Sequence, residues 1–220
     1  GNLCTKGDWN MTTGNIKFLF DGPEDAAVTV VLAHGAGVPM DAPFMNAFAE
    51  GIAKGGFRVA RFEFPYMQRQ RTEGKRYPPS PAPVLVERYL AVVGALGGGS
   101  NLVIGGKSLG GRIATLIANQ VGAKGVICLG YPFHPPEKPE NTRIEYLKNI
   151  AAPTLILQGG EDPFGAPDEV AGYGLPENVK VTWLEGGDHH LVTADDSDAD
   201  NEHNWAEGAG AIAEFVKSLA

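Results

Sequence analysis

Six short apolar runs limit what this chain can fold into: VTVVLAH at 28–34, FRVARF at 57–62, NLVIGG at 101–106, KGVICLG at 124–130, PTLILQG at 153–159 and VKVTWLEG at 179–186. They are rich in Val and Ile, bounded by Gly or Pro, and mostly non-alternating, the pattern of strands buried on both faces. Between them, apolar residues recur at helical spacing. Phe44, Phe48, Ile52 and Ala53 share one face; so do Val84, Leu85, Tyr89, Val92 and Val93, and again Ile212, Phe215, Val216 and Leu219. Strands alternating with helices of this length imply an α/β fold, with a mostly parallel central sheet covered by helices on both faces. The run at 16–20, closed by DGPED, predicts an added edge strand of opposite direction. With 220 residues and no internal repeat, a single domain over 1–220 is expected. Two stretches, 66–83 and 131–146, carry neither period. Each follows the carboxyl end of a predicted strand, where an open α/β sheet keeps its ligands.

The segment GGKSLGG, residues 105–111, sits where the strand pattern LVI gives way to the helix pattern IATLIA. Gly106, Ser108 and Gly110 occupy the positions of G-x-S-x-G. A strand that turns abruptly into a helix holds the serine in a strained conformation with its hydroxyl above the sheet, and the flanking glycines let neighbouring backbone approach without a Cβ clash. A phosphate-binding P-loop is disfavoured, because the upstream glycine it requires is missing.

A serine hydroxyl is a poor nucleophile until a base takes its proton, so Ser108 calls for a histidine and a group to orient it. His34 ends the first central strand, His134 lies among prolines and His203 in an acidic stretch. Only His189 and His190 directly follow the last predicted strand, and the turn GGDHH allows either as the base. Asp162, just after the penultimate strand, is the acid candidate. Glu161 beside it is a substitute, and Asp168 is weaker, since APDEVAGY reads as a helix start where a carboxylate serves as a cap. The chain order Ser108, Asp162, His189 separates this arrangement from the common protease orders. Two backbone donors are needed for the oxyanion: the amide of Leu109, and the amide of Ala36 in HGAG. His34 then ties that loop structurally.

Other chemistries find less support. A net charge of -8 repels phosphate backbones, so neither nucleic acid nor an anionic membrane is an expected partner. No apolar span of about 18 residues is present, and the cytoplasm is the default location. Cys128 reads as a buried small hydrophobe, and two cysteines, Cys4 and Cys128, make no staple framework. Adjacent histidines seldom point at one metal. Asp196, Asp198, Asp200 and Glu207 match an EF-hand spacing, but WLEGGDHHL upstream is no entering helix; a mobile acidic loop is the better reading of 185–202. No metal is expected. Arg69, Arg71, Lys75 and Arg76 against Glu73 form a local positive patch, read as a solvated loop that would favour an anionic substrate only if it bordered the site.

HGAG at 34–37, GKSLGGR at 106–112, GGEDPFG at 159–165 and GGDHHL at 186–191 together resemble the α/β-hydrolase superfamily over nearly the whole chain. The elbow looks like that of its small, capless branch near the dienelactone hydrolases. That resemblance implies Ser108 as nucleophile, Asp162 as acid, His189 as base, and cleavage of a small ester or thioester through an acyl-enzyme without cofactor. Dienelactone hydrolases proper use a cysteine nucleophile, so their lactone substrate is not implied. The connection between the strands at 124–130 and 153–159 is too short for a large lid. The same fold also hosts peptidases, acyltransferases and catalytically silent scaffolds.

Overall fold

The structure is a computed structural model that describes residues 11–13 and 16–219; Cys4 lies outside them. An eight-stranded sheet runs β1 (Met11–Thr13), β2 (Ile16–Asp21), β4 (Arg58–Phe62), β3 (Thr29–Ala33), β5 (Leu102–Lys107), β6 (Gly125–Leu129), β7 (Thr154–Gly159), β8 (Val179–Leu184). The pairs β1–β2 and β2–β4 are antiparallel; every pair from β4 to β8 is parallel. The expected mostly parallel sheet is present, and the strand at 16–20 is antiparallel as expected, but it is not the edge, because β1 pairs beyond it.

Successive strand residues enter opposite cores, which is why the runs are apolar throughout. Val31, Ala33, Ile104, Val126 and Cys128 join one core; Val30, Leu32, Val103, Ile127 and Leu129 join the other. The first is covered by α3 (Ala82–Ala95) and α4 (Leu109–Val121), through Leu85, Tyr89, Ile113 and Ile117. The second is covered by α1 (Pro43–Lys54) and α7 (Asp198–Ser218), through Phe44, Phe48, Ile52, Ile212 and Val216. Helices α1 and α7 cross closely, and a Cβ on Gly55 would come within 2.8 Å of the Ala213 methyl.

Three expectations change. Residues 66–83 are partly helical: α2 spans Pro65–Glu73, with proline in its first turn and a left-handed Gly74 at its end. Only Tyr66 and Met67 are buried on it, too few to set an apolar period. The acidic stretch is not a loop throughout, because α7 begins at Asp198. The Ser197 hydroxyl accepts from the Asp200 amide at 3.2 Å, and Asp198 and Asp200 suit the positive end of the helix dipole. That helix takes up Asp198, Asp200 and Glu207 of the EF-hand spacing, while Asp196 precedes it. At α6 (Pro167–Ala171) the cap is made by Glu169, whose carboxylate accepts from the Ala166 amide at 3.1 Å, and not by Asp168. The stretch 131–146 stays irregular up to the short α5 (Glu145–Lys148).

The order in which strands are added reverses at β3: β3 connects onward to β4 on one side, while β5 pairs with β3 on the other. Such a switch point opens a crevice beyond the carboxyl ends of the strands. HGAG leaves β3 and Ser108 leaves β5 at that point.

Candidate active site

Ser108 stands between β5 and α4 at φ 49°, ψ -112°, a conformation strained for any residue with a side chain. The turn is tight enough that a Cβ on Gly106 would overlap the Ala33 carbonyl, and one on Gly110 would lie 2.6 Å from the Ala33 and His34 oxygens. The serine is fixed by its amide, which donates to the Leu129 carbonyl at 2.9 Å.

Its hydroxyl oxygen lies 2.7 Å from Nε2 of His189, 81 residues away in the chain. Nδ1 of His189 lies 2.8 Å from Asp162 Oδ2. Asp162 is 1% exposed. Its Oδ1 accepts from the Phe164 amide at 2.8 Å, and its Oδ2 also accepts from Gln158 Nε2 at 3.0 Å. With the carboxylate held on Nδ1, that nitrogen carries the hydrogen and Nε2 is free to accept from the serine. Phe164 stacks on the His189 ring at 4.2 Å between centroids, fixing its plane.

The histidine loop is anchored from below and behind. Asp188 Oδ1 accepts from the His190 and Val192 amides at 2.8 and 3.1 Å, and Leu191 takes a positive φ of 55°. Trp205 Nε1, on α7, donates to the His190 and Leu191 carbonyls at 3.2 and 3.1 Å. His190 faces away from the serine: its Nδ1 lies 2.8 Å from Lys107 Nζ. Burial, then the Lys107 charge, holds His190 below the usual imidazole range. Lys107 is itself 3% exposed, and burial brings it down to about 8 against the opposing pull of Asp188 and Asp162.

On the other side of the crevice the HGAG loop is pinned from its flanks. His34 accepts from the Phe64 amide at Nε2, 3.0 Å, and its Nδ1 meets the Gly35 carbonyl at 2.6 Å. Burial pushes it down to about 4, so it is a neutral structural imidazole at ordinary pH. The Tyr66 hydroxyl donates to the Ala36 carbonyl at 2.9 Å. The amides of Ala36 and Leu109 meet no protein acceptor among the described residues.

The remaining candidates lie elsewhere. His134 Nε2 lies 2.8 Å from a Glu169 carboxylate oxygen, and His203 Nε2 lies 3.2 Å from Glu207 along α7. The carboxylate on His189 Nδ1 is that of Asp162 and not of Glu161 or Asp168, while Cys128 is buried with its thiol pushed up by burial. The basic patch is largely neutralised: Arg71 pairs with Asp41 at 2.6 Å and Glu63 at 2.8 Å, and Arg69 with Glu73 at 3.2 Å. Among the described residues no group of three or more His, Cys, Asp or Glu is placed to hold a metal, and no helix is long and apolar enough to cross a membrane. Three residues of this constellation escape sequence reasoning. Gln158, fully buried, was signalled only as a polar residue inside PTLILQG; Lys107 and Phe164 gave no signal beyond adjacency to the motif.

Solved structures share this architecture. The alpha-beta serine hydrolase homologue from Coxiella burnetii superposes with a TM-score of 0.68 at 16% identity, covering 90% of this chain and 91% of its own. Est1E from Butyrivibrio proteoclasticus gives 0.70 at 18%, covering 94% and 96%, and the dienelactone hydrolase from Anabaena variabilis 0.66 at 22%, covering 89% of each. At these identities the likeness is one of fold. A family model described as an alpha/beta hydrolase domain matches residues 26–217. Strand order, switch point and this match together place the chain in the alpha/beta hydrolase domain family.

Proposed function

We propose that the protein is a serine hydrolase that cleaves small esters or thioesters through an acyl-enzyme, of the capless kind near the dienelactone hydrolases. The observation that carries this reading is the 2.7 Å approach of Ser108 Oγ to His189 Nε2. In the first half-reaction Oγ attacks the substrate carbonyl carbon as its proton passes to Nε2. The amides of Ala36 and Leu109 receive the oxyanion, and Asp162 stabilises the imidazolium. Collapse breaks the bond to the alcohol or thiol, which leaves with the proton from Nε2. Water then repeats the sequence on the acyl-enzyme: His189 takes its proton, hydroxide adds, and Ser108 leaves reprotonated. Each step uses side chains and amides of the chain itself.

A silent scaffold would leave the histidine loop away from the elbow. The strained Ser108 backbone and the hydrogen-bonded sequence Ser108, His189, Asp162 favour turnover instead. The test is labelling with a fluorophosphonate probe. Native protein should be labelled at Ser108, and S108A and H189A should not. S108A should lose roughly four or more orders of magnitude in kcat on a p-nitrophenyl ester, and D162N about three to four. Folded native protein that resists the probe across neutral and alkaline pH would overturn the reading.

A further inference from the structure

Ser108 and His189 meet at 2.7 Å, and the residue before the first meets the residue after the second: Lys107 Nζ lies 2.8 Å from Nδ1 of His190. Two consecutive residues at the exit of β5 thus face two consecutive residues of the histidine loop, like neighbouring rungs. Among the described residues no other polar contact links that loop to the elbow. The loop's remaining anchors lead elsewhere. Asp188 ties it to itself, the Glu161 amide donates to the Gly187 carbonyl at 2.8 Å, and Trp205 holds it to α7. None of these reaches β5.

Alternation along β5 sends Lys107 to the same face as Val103, under α1 and α7. Its stem runs beneath the HGAG loop, where a Cβ on Gly35 would stand 3.5 Å from Lys107 Cδ. One side chain therefore touches the oxyanion loop and the histidine loop from the strand that carries the nucleophile. The charged groups facing the ammonium are Asp188 of the histidine loop and Asp162 after β7, and both act to keep its proton. From α1 it meets the Phe44 ring, which Trp205 of α7 backs edge-on at 5.3 Å. Burial, then the Lys107 charge, keeps His190 neutral at ordinary pH, so Nδ1 offers a lone pair to which the ammonium donates. A buried ammonium is costly where an apolar side chain of similar length would pack without desolvation, and such a group points to a use.

We propose that Lys107 is a positioning residue: by donating to Nδ1 of His190 it holds the histidine loop against the elbow, so that His189 Nε2 meets the Ser108 hydroxyl at reacting distance. The inference rests on the hydrolase reading of Ser108 and His189. Lys107 sheds its proton at about 8, and a neutral amine bonds the imidazole more weakly than an ammonium does. The loop is therefore held most firmly below that value and less firmly above it.

The experiment measures kcat and KM on a p-nitrophenyl ester between about pH 6 and 10, with the rate of fluorophosphonate labelling, for native protein, K107M, H190F and H190N. K107M and H190F should each lose about 10- to 100-fold in kcat with KM changed by less than about threefold, since a small misplacement of the base is felt in the chemical step. The double variant should lose no more than either single one, because both break the same contact. H190N sets an amide oxygen where Nδ1 stands and should stay within about threefold of native kcat. Native kcat should fall a few-fold as pH passes about 8, and K107M should lack that fall. Should H190F fail to fold with the ammonium left unpaired, K107M and H190N carry the test. A K107M with native kcat, an H190F that stays active while H190N does not, or an alkaline fall that persists in K107M would overturn the positioning role. Native protein labelled at Ser108 would then leave the hydrolase reading standing. If native protein neither takes the probe nor cleaves an ester, both fall.

Discussion

Lys107 occupies the position immediately before Ser108, and its ammonium is buried against the His190 ring with the Phe44 ring 5.2 Å away. Burial of the charged form lowers it from 10.5 to about 8. Below that value folded and unfolded chains both bind the proton, and the folded state bears the desolvation. Between 8 and 10.5 only the unfolded chain binds it, so this residue's contribution to stability rises with pH across that window. K107M should therefore be more resistant to urea than the native protein at pH 7, by about 1–2 kcal/mol, with the gap closing towards pH 10.5. A K107M that is less stable at pH 7, or a gap that does not change with pH, would refute this. Ser108, Asp162 and His189 were legible in the sequence because each directly follows an apolar run whose strand identity was plain. Lys107 and Gln158 were not. A polar residue inside such a run reveals its partners only once neighbouring strands bring Tyr131, Asp162 and the histidine loop around it.

At the scale of elements, the acidic start of α7 supports the loop that carries His189. Ser197 caps the helix, Asn201 Oδ1 accepts from the Thr193 amide at 3.1 Å, and Trp205 holds the carbonyls of His190 and Leu191. S197A removes the cap and should cost about 1 kcal/mol, seen as a fall in Tm of roughly 2–4 °C. An unchanged Tm would mean that the cap contributes nothing in this context. The apolar period marked the later turns of this helix but hid its start, because the first two turns are acidic and bury only Asn201. Helix α2 was hidden for a related reason, although Pro65 and Gly74 bracket it with ordinary start and stop signals. Both misreadings came from weighing periodicity above caps.

Across the whole molecule, the layers and the direction of the strands could be read from apolar runs that alternate with helical stretches. The neighbour order could not, because connections of similar length serve either side of β3. Native-state hydrogen exchange should follow that order. Amides of β3, β5 and β6, covered on both faces and paired on both edges, should be the slowest, and those of β8 much faster. Uniform protection across the sheet would contradict this. The consequence concerns how the protein fails. Among the described strands β8 pairs with β7 alone and is only partly covered, yet it carries His189 at its exit, while Ser108 rides on the sheet's centre. Warming should detach this outermost ribbon first, so the proposed esterolysis should disappear several degrees before helical ellipticity does. Superimposable inactivation and melting curves would show instead that the margin and the middle give way together.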